Sequence, residues 1–267
     1  MTSEALDCHY SITGSGPSIF LTHGVGAAED AWRFITPKLS ENFTVITYDL
    51  RGHGRSPVTH KNFGLEELVL DLERVREKAN IDKGHFIGHS LGGMIAPAYA
   101  KKYPDKVLSV GMLSTVAGRS DDDTKKVWSV IKEMEENGVE KTLEKLITRW
   151  FTDEFIANNS ELVTRRLKQV VDTDPDVFLN VFRIYAKTEM ISWLKELTKP
   201  CLLMTGENDG GCTPKHNEKM ANEIENSELV ILPKLKHSFL IEGPDQIIDN
   251  IIKLLPNLIK RFWSNIF

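Results

Sequence analysis

The sequence predicts an α/β protein in which a mostly parallel β-sheet is flanked by helices and carries a helical cap. Two observations lead to this prediction. Short apolar runs alternate with amphipathic helical patterns along most of the chain, and one long helical stretch interrupts the alternation. Alternating strands and helices are typical of parallel sheets with right-handed crossovers. Ligands bind such sheets at the edge where the strands end, so a site is expected there.

The strand-like runs are short, apolar on both faces and bounded by Gly, Pro or Asp, as buried parallel strands are. They cover Ser18–Thr22, Thr44–Tyr48, His85–Ile87, Val107–Leu113, Cys201–Thr205 and Leu229–Leu232, and Cys8–Thr13 is a candidate strand before them. Helical patterns lie at Leu65–Ala79, Gly92–Lys101, Lys215–Ile224 and Pro244–Leu255. The apolar, aromatic segment Leu254–Phe267 is expected to be a docked last helix with a frayed end. A membrane-surface or dimer-forming segment is the alternative.

The stretch from residue 115 to 197 lacks strand signals and carries charged helical runs, the first of which is expected at Asp121–Glu136 with the acidic start Asp121–Asp123. Ordinary crossover helices are the alternative, but about 80 residues far exceed the usual connection. We therefore expect a helical cap over residues 115–197 and a core formed by residues 1–114 and 198–267.

Composition narrows the classes of function. The chain has 267 residues, 41% hydrophobic and 27% charged, which suits one large globular α/β domain. A net charge of −5 with scattered Lys and Arg argues against nucleic-acid binding. Three sparse cysteines, Cys8, Cys201 and Cys212, indicate a reducing compartment. With no transmembrane-length apolar run and no signal-peptide pattern, a cytoplasmic protein without stable membrane insertion is expected.

The strongest chemical signal is Gly88-His89-Ser90-Leu91-Gly92, between a predicted strand and a predicted helix. This pattern places a serine on a strained strand-to-helix turn, with glycines where side chains would clash. A serine nucleophile needs a base, and the base needs an orienting acid. Asp209 and His237 follow later strands in the expected order Ser, Asp, His, which favours them over Glu207 in the same loop and over the other histidines.

A second signal is His23-Gly24-Val25-Gly26, directly after the first long strand. Backbone N–H groups in such a turn can stabilise an oxyanion, and we expect the Val25 and Leu91 N–H groups to form the oxyanion hole. A plain glycine-rich turn is the alternative. The sequence has no G-x-G-x-x-G after a strand, no P-loop and no metal-ligand spacing, so neither a cofactor nor a metal is expected.

These residues, together with the loop Asp49–Ser56, resemble the α/β-hydrolase superfamily from about Ser18 to Leu255, and most closely 3-oxoadipate enol-lactonase-like esterases. The resemblance implies an eight-stranded, mostly parallel sheet with a helical cap between strands six and seven. It also implies Ser90 as nucleophile, Asp209 as orienting acid and His237 as base. Relatives that cleave carbon–halogen bonds or epoxides carry Asp at the nucleophile position, which argues against those activities here.

The leading hypothesis is hydrolysis of a small carboxylic ester or a lactone through an acyl-enzyme. A carbon–carbon bond hydrolase of vinylogous diketones, or a slow-turnover ligand receptor on the same fold, are the alternatives. Trp32, shortly after the oxyanion turn, is expected to form a wall of the substrate site. Cap aromatics such as Trp150 and Phe178 are expected mainly in the cap core. A homo-oligomer is compatible with the sequence.

Overall fold

The computed structural model describes residues 4–253. Seven strands in that range form one sheet in the order β1-β3-β2-β4-β5-β6-β7. Strand β1 pairs antiparallel with β3, and every other neighbouring pair is parallel. The strands are β1 Tyr10–Thr13, β2 Ser18–Thr22, β3 Thr44–Tyr48, β4 Gly84–His89, β5 Val107–Leu113, β6 Cys201–Gly206 and β7 Ser227–Leu232. The predicted mostly parallel α/β sheet is therefore confirmed.

Within residues 4–253 the sheet has one strand fewer than the eight expected. Before Tyr10, the described chain bonds to side chains instead of pairing as a strand. The Leu6 N–H donates to Asp71 at 2.7 Å, and Arg51 donates to the Glu4 carbonyl at 3.0 Å. These side chains thus pair with one backbone donor and one backbone acceptor of the segment.

Helices cover both faces of the sheet. The core helices are α1 Thr36–Leu39, α2 Leu65–Lys78, α3 Gly92–Lys102, α9 Pro214–Glu223 and α10 Phe239–Glu242, and residues 244–253 are also helical. In α2, Leu68, Leu72 and Val75 recur at helical spacing and pack with β3 and β4 in one apolar layer. The opposite layer contains Ile19, Leu202 and Ile247. Burial on both faces explains why the strands read as continuous apolar runs.

Five helices lie between β5 and β6, in a stretch that the structure describes without a gap. They are α4 Asp121–Asn137, α5 Val139–Trp150, α6 Asp153–Asn158, α7 Ser160–Asp172 and α8 Pro175–Lys187. Helix α4 begins at Asp121, the helix start that the acidic run predicted. Ser120 and Asp123 form a reciprocal capping box that stabilises this start. Met134, Leu143 and Phe178 form a separate apolar cluster among these helices.

None of the helices within residues 4–253 has both the length and the apolar character that crossing a bilayer requires. The proposed docked helix or tail at Leu254–Phe267 lies outside the described residues.

Candidate active site

Ser90 lies between β4 and α3 in a left-handed backbone conformation, with φ at 56°. The glycines of the pentapeptide allow this turn. A Cβ on Gly88 would lie 1.8 Å from the Gly92 carbonyl oxygen, and one on Gly92 would lie 2.2 Å from the Thr22 carbonyl oxygen. Neither distance is tolerable between backbone atoms, so only glycine fits. The strained turn presents the Ser90 side chain to a cavity at the carboxyl edge of the sheet.

Asp209 and His237 reach the same cavity from the loops after β6 and β7. His237 Nδ1 lies 2.8 Å from Asp209 Oδ2, although 28 residues separate the two in the chain. The bond leaves Nε2 as the free nitrogen of the imidazole. No hydrogen bond joins Ser90 to His237 within the described structure; such bonds between reacting groups often tighten only with substrate bound.

The Asp209–His237 pair sets the charge state of both groups. Burial alone would raise the pKa of Asp209, but the charge of His237 and hydrogen bonds from His237, Cys212 and Ser114 hold that pKa well below its usual range. Burial alone would lower the pKa of His237, but the charge and hydrogen bond of Asp209 outweigh it and raise the pKa. The carboxylate is thus suited to stabilise an imidazolium.

Three residues that the sequence reasoning missed hold this pair in place. The Ser114 hydroxyl donates to Asp209 Oδ2 at 2.6 Å, and the Cys212 N–H donates to Oδ1 at 2.9 Å. His89, whose pKa burial lowers to about 3, donates from Nε2 to the His237 carbonyl at 2.9 Å. Ser114 directly follows β5, so its position at a strand end was the signal that could have identified it.

A set of possible metal ligands was also missed. The ligand atoms of Asp209, Cys212 and His237 lie within 4.8 Å of one another, a combination of carboxylate, thiol and imidazole that zinc accepts. Their spacing in the chain follows no metal-binding pattern, so only the tertiary structure reveals the set. Within this set, the hydrogen bond of 2.8 Å between His237 Nδ1 and Asp209 explains why these two side chains lie close together, and it requires no metal.

Hydrogen bonds hold the loop His23–Gly26 in one orientation. The Leu50 N–H donates to His23 Nε2 at 2.9 Å, so Nδ1 carries the proton and donates to the Gly24 carbonyl at 2.8 Å. A carbonyl and the N–H of the same peptide point in opposite directions, so the Val25 N–H points away from His23. Neither the Val25 nor the Leu91 N–H has an acceptor among the described residues.

The next peptide of this loop is fixed by a second histidine. The Gly26 N–H donates to His53 Nε2 at 3.2 Å, and His53 Nδ1 lies 3.1 Å from the Arg51 carbonyl. Burial lowers the pKa of His53 to about 4, so it stays neutral and able to accept. The loop Asp49–Ser56 therefore does not line the cavity, but its His53 side chain holds the loop His23–Gly26, which does.

The cavity has a volume of about 460 Å³, a size typical of small-molecule sites. Its floor includes Gly24, Val25, Ser90, Asp209 and His237. Its apolar walls come mainly from the helices between β5 and β6, through Val127, Val130, Leu146, Trp150, Phe182 and Tyr185. Phe178, by contrast, is buried among those helices, as expected for core.

The expectation that Trp32 lines this cavity is wrong. Residues Glu29–Trp32 form a 3₁₀ turn that directs Ala31 to the cavity and Trp32 into the apolar layer with Ile19 and Leu39, where it is fully buried. Sequence distance from the oxyanion turn could not reveal which face of the turn each residue occupies.

Comparisons with known proteins agree with this architecture. The family model described as alpha/beta hydrolase fold matches residues 17–244. The chain is 28% identical to 3-oxoadipate enol-lactonase 1 of Acinetobacter baylyi over 236 residues, covering 88% of this chain and 87% of the relative. It is 22% identical to an (E)-2-((N-methylformamido)methylene)succinate hydrolase of the same organism, covering 90% of each.

Solved structures show the same fold. The enol-lactonase of Burkholderia xenovorans LB400 superposes with a TM-score of 0.88 at 23% identity, covering 95% of this chain and 99% of that one. A malate-bound thermophilic esterase of Thermogutta terrifontis superposes with a TM-score of 0.85 at 24% identity, covering 94% and 93%.

Proposed function

The chain belongs to the α/β-hydrolase family. We propose that it hydrolyses carboxylic esters, either short-chain esters or lactones, through an acyl-enzyme on Ser90. The observation that carries this proposal is the convergence of three side chains on one cavity: Ser90 on its strained turn, and His237 bonded through Nδ1 to Asp209 at 2.8 Å. The enol-lactonase relative supports the lactone part of the proposal.

In the proposed reaction, Ser90 Oγ attacks the carbonyl carbon while His237 Nε2 takes its proton. The Val25 and Leu91 N–H groups bind the oxyanion that forms. His237 then protonates the departing alkoxide, and the acyl-enzyme remains. A water molecule, deprotonated by His237, releases the carboxylic acid and restores Ser90. Asp209 holds the imidazole tautomer and stabilises the imidazolium in both halves.

The first test is a series of p-nitrophenyl esters of increasing acyl length, assayed with wild type and Ser90→Ala. We expect Ser90-dependent rates that peak at short acyl chains, since a cavity of about 460 Å³ limits the size of the acyl group. Folded wild type that hydrolyses none of the esters or lactones would contradict the proposal. Activity on a ring-cleavage diketone would then support carbon–carbon hydrolysis, and a ligand-induced thermal shift without turnover would support a receptor.

Four Arg and Lys side chains and two acids, Asp123 and Asp209, line the cavity, and this excess of positive charge favours a substrate that carries a carboxylate. Arg119, Lys126 and Arg149 line it, and none of them has a carboxylate partner for its side chain among the described residues. Lys126 and Arg149 are exposed, so they would act at the mouth, attracting an anion as it enters.

Replacing Arg149 with glutamine should therefore raise KM for a carboxylate-bearing ester by about two- to fivefold, the modest effect of an exposed charge. KM for a neutral ester of the same length should not change. Lys141→Gln is the matched control, because Lys141 is an exposed cation of the same helix that does not line the cavity. Equal KM changes for the charged and the neutral ester would contradict the role of charge.

We also propose that the five helices of residues 115–197 act as a cap on a core of residues 1–114 and 198–267, because they supply most of the apolar cavity wall.

All three cysteines are unpaired and buried, which is compatible with a cytoplasmic, reducing location. That location and a homo-oligomeric state stay predictions.

A further inference from the structure

Arg166 is a half-buried charge that the proposed mechanism does not use. It belongs to α7, lines the cavity together with Ser90, and makes no ion pair with a described carboxylate. Burial lowers the pKa of its guanidinium to about 10, so it stays protonated at neutral pH. Its plane lies over the Trp150 ring, with the guanidinium carbon 5.0 Å from the ring centroid. A half-buried charge without a carboxylate partner is costly unless its donors bond to other acceptors.

Both terminal nitrogens of Arg166 donate to the loop that contains Val25. Nη1 donates to the Gly26 carbonyl at 2.5 Å and Nη2 to the Val25 carbonyl at 3.0 Å. The two acceptors belong to consecutive peptides, and the planar fork of a guanidinium can bond both at once. A lysine ammonium of similar reach lacks that fork.

Arg166 thereby completes a set of bonds around the Val25 N–H. His23 holds the Gly24 carbonyl, and His53 accepts from the Gly26 N–H. Arg166 holds the two carbonyls that follow. In the peptides that link Gly24 to Val25 and Val25 to Gly26, the Val25 N–H is the one backbone group that these side chains leave without a partner.

The backbone conformation of the loop lets a neighbouring helix pack directly against it. Gly26 has φ at 58°, and a Cβ there would lie 2.5 Å from the Phe178 ring. The helices between β5 and β6 therefore sit directly on the turn. Their position and the orientation of the Val25 peptide are physically connected through Phe178 and Arg166.

We propose that Arg166, from the cap, is a positioning residue that fixes the Val25 peptide so that its N–H faces the oxyanion. This inference rests on the proposed ester hydrolysis. The oxyanion hole is then complete only while α7 is seated on the core. Without Arg166, two carbonyls lose their donors and the loop is free to rotate the Val25 N–H away from the reacting carbonyl. Because this N–H bonds most strongly to the developing charge, the loss falls on turnover.

The test compares Arg166→Met, Arg166→Lys and the control Arg165→Met on a neutral and a carboxylate-bearing ester. Arg165 lies on the same helix and also bridges to the core, donating to Asp30 at 2.9 Å, but it does not touch the loop carbonyls. We expect Arg166→Met to lower kcat by about 10- to 100-fold, with KM within about threefold for both esters. Arg166→Lys should lose most of the same turnover, and Arg165→Met should retain it.

A second measurement covers the case in which Arg166→Met fails to fold. In Arg166→Ala, added guanidinium chloride at non-denaturing concentration should restore part of kcat, whereas sodium chloride of equal ionic strength should not. Thermal denaturation midpoints of all variants identify those that are unfolded.

Three results would overturn the inference: unchanged kcat in folded Arg166→Met, an equal loss in Arg165→Met, or a KM increase limited to the carboxylate-bearing ester. The last would assign Arg166 to substrate binding instead. Each of these leaves Ser90-dependent hydrolysis by wild type intact. Failure of the proposed function itself is distinguishable, because wild type would then show no Ser90-dependent hydrolysis of either ester.

Discussion

Replacing Ser90 with alanine should lower kcat for ester hydrolysis by about 10⁴-fold or more, with little change in KM. Removal of the hydroxyl leaves His237 no nucleophile to activate, and the residual rate then comes from binding and from the oxyanion hole. The variant should fold normally, because the Ser90 hydroxyl donates no hydrogen bond to the described protein. Steady-state kinetics with a short p-nitrophenyl ester provides the measurement.

Ser238→Ala is the matched control for this prediction. Ser238 also lines the cavity and is equally buried, but its hydroxyl has no partner in the proposed reaction. Its replacement should lower kcat by less than about tenfold, because only a contact between the cavity wall and the substrate is lost. Near-normal turnover by purified Ser90→Ala would disprove the acyl-enzyme. Titration with a phosphonate ester gives an independent check, because it should label wild type and Ser238→Ala but not Ser90→Ala.

Replacing Asp209 with asparagine should lower kcat by about 10⁴-fold and move the acidic limb of the pH–rate profile to lower pH. The base form of His237 is required to accept the Ser90 proton, so activity rises as pH increases through the pKa of His237. The Asp209 carboxylate raises that pKa. Without the negative charge, burial remains as the main influence and lowers the pKa, so the limb should shift toward acid.

The control for Asp209 is Glu207→Gln, a neighbouring acid in the same loop. Glu207 accepts from the Lys234 N–H at 2.9 Å and is exposed, so its charge is screened from His237. Its replacement should leave both kcat and the acidic limb close to those of wild type. An acidic limb that stays in place in Asp209→Asn would show that Asp209 does not control the protonation of His237. The profile of kcat/KM between pH 4 and 11 supplies the comparison.

The errors of the sequence interpretation share one cause. Trp32 was expected at the cavity and lies in the core, because the direction of its side chain depends on a 3₁₀ turn that spacing does not reveal. The eighth strand was expected from the resemblance, but the chain before Tyr10 bonds to Asp71 and Arg51 instead. Both outcomes were decided by packing partners that are distant in sequence.

Local sequence patterns were enough to predict the alternation of strands and helices and the turn at Ser90. They also predicted the strands Ser18–Thr22, Thr44–Tyr48 and Val107–Leu113 with these bounds. These features are local: apolar runs, helical periodicity and glycines demanded by a strained turn act over a few neighbouring residues. The tertiary structure alone decided that Ser114 bonds Asp209 and that Arg166 reaches the carbonyls of Val25 and Gly26. These partners are separated by 95 to 141 residues, so only the packing of the sheet and the helices above it sets their distances.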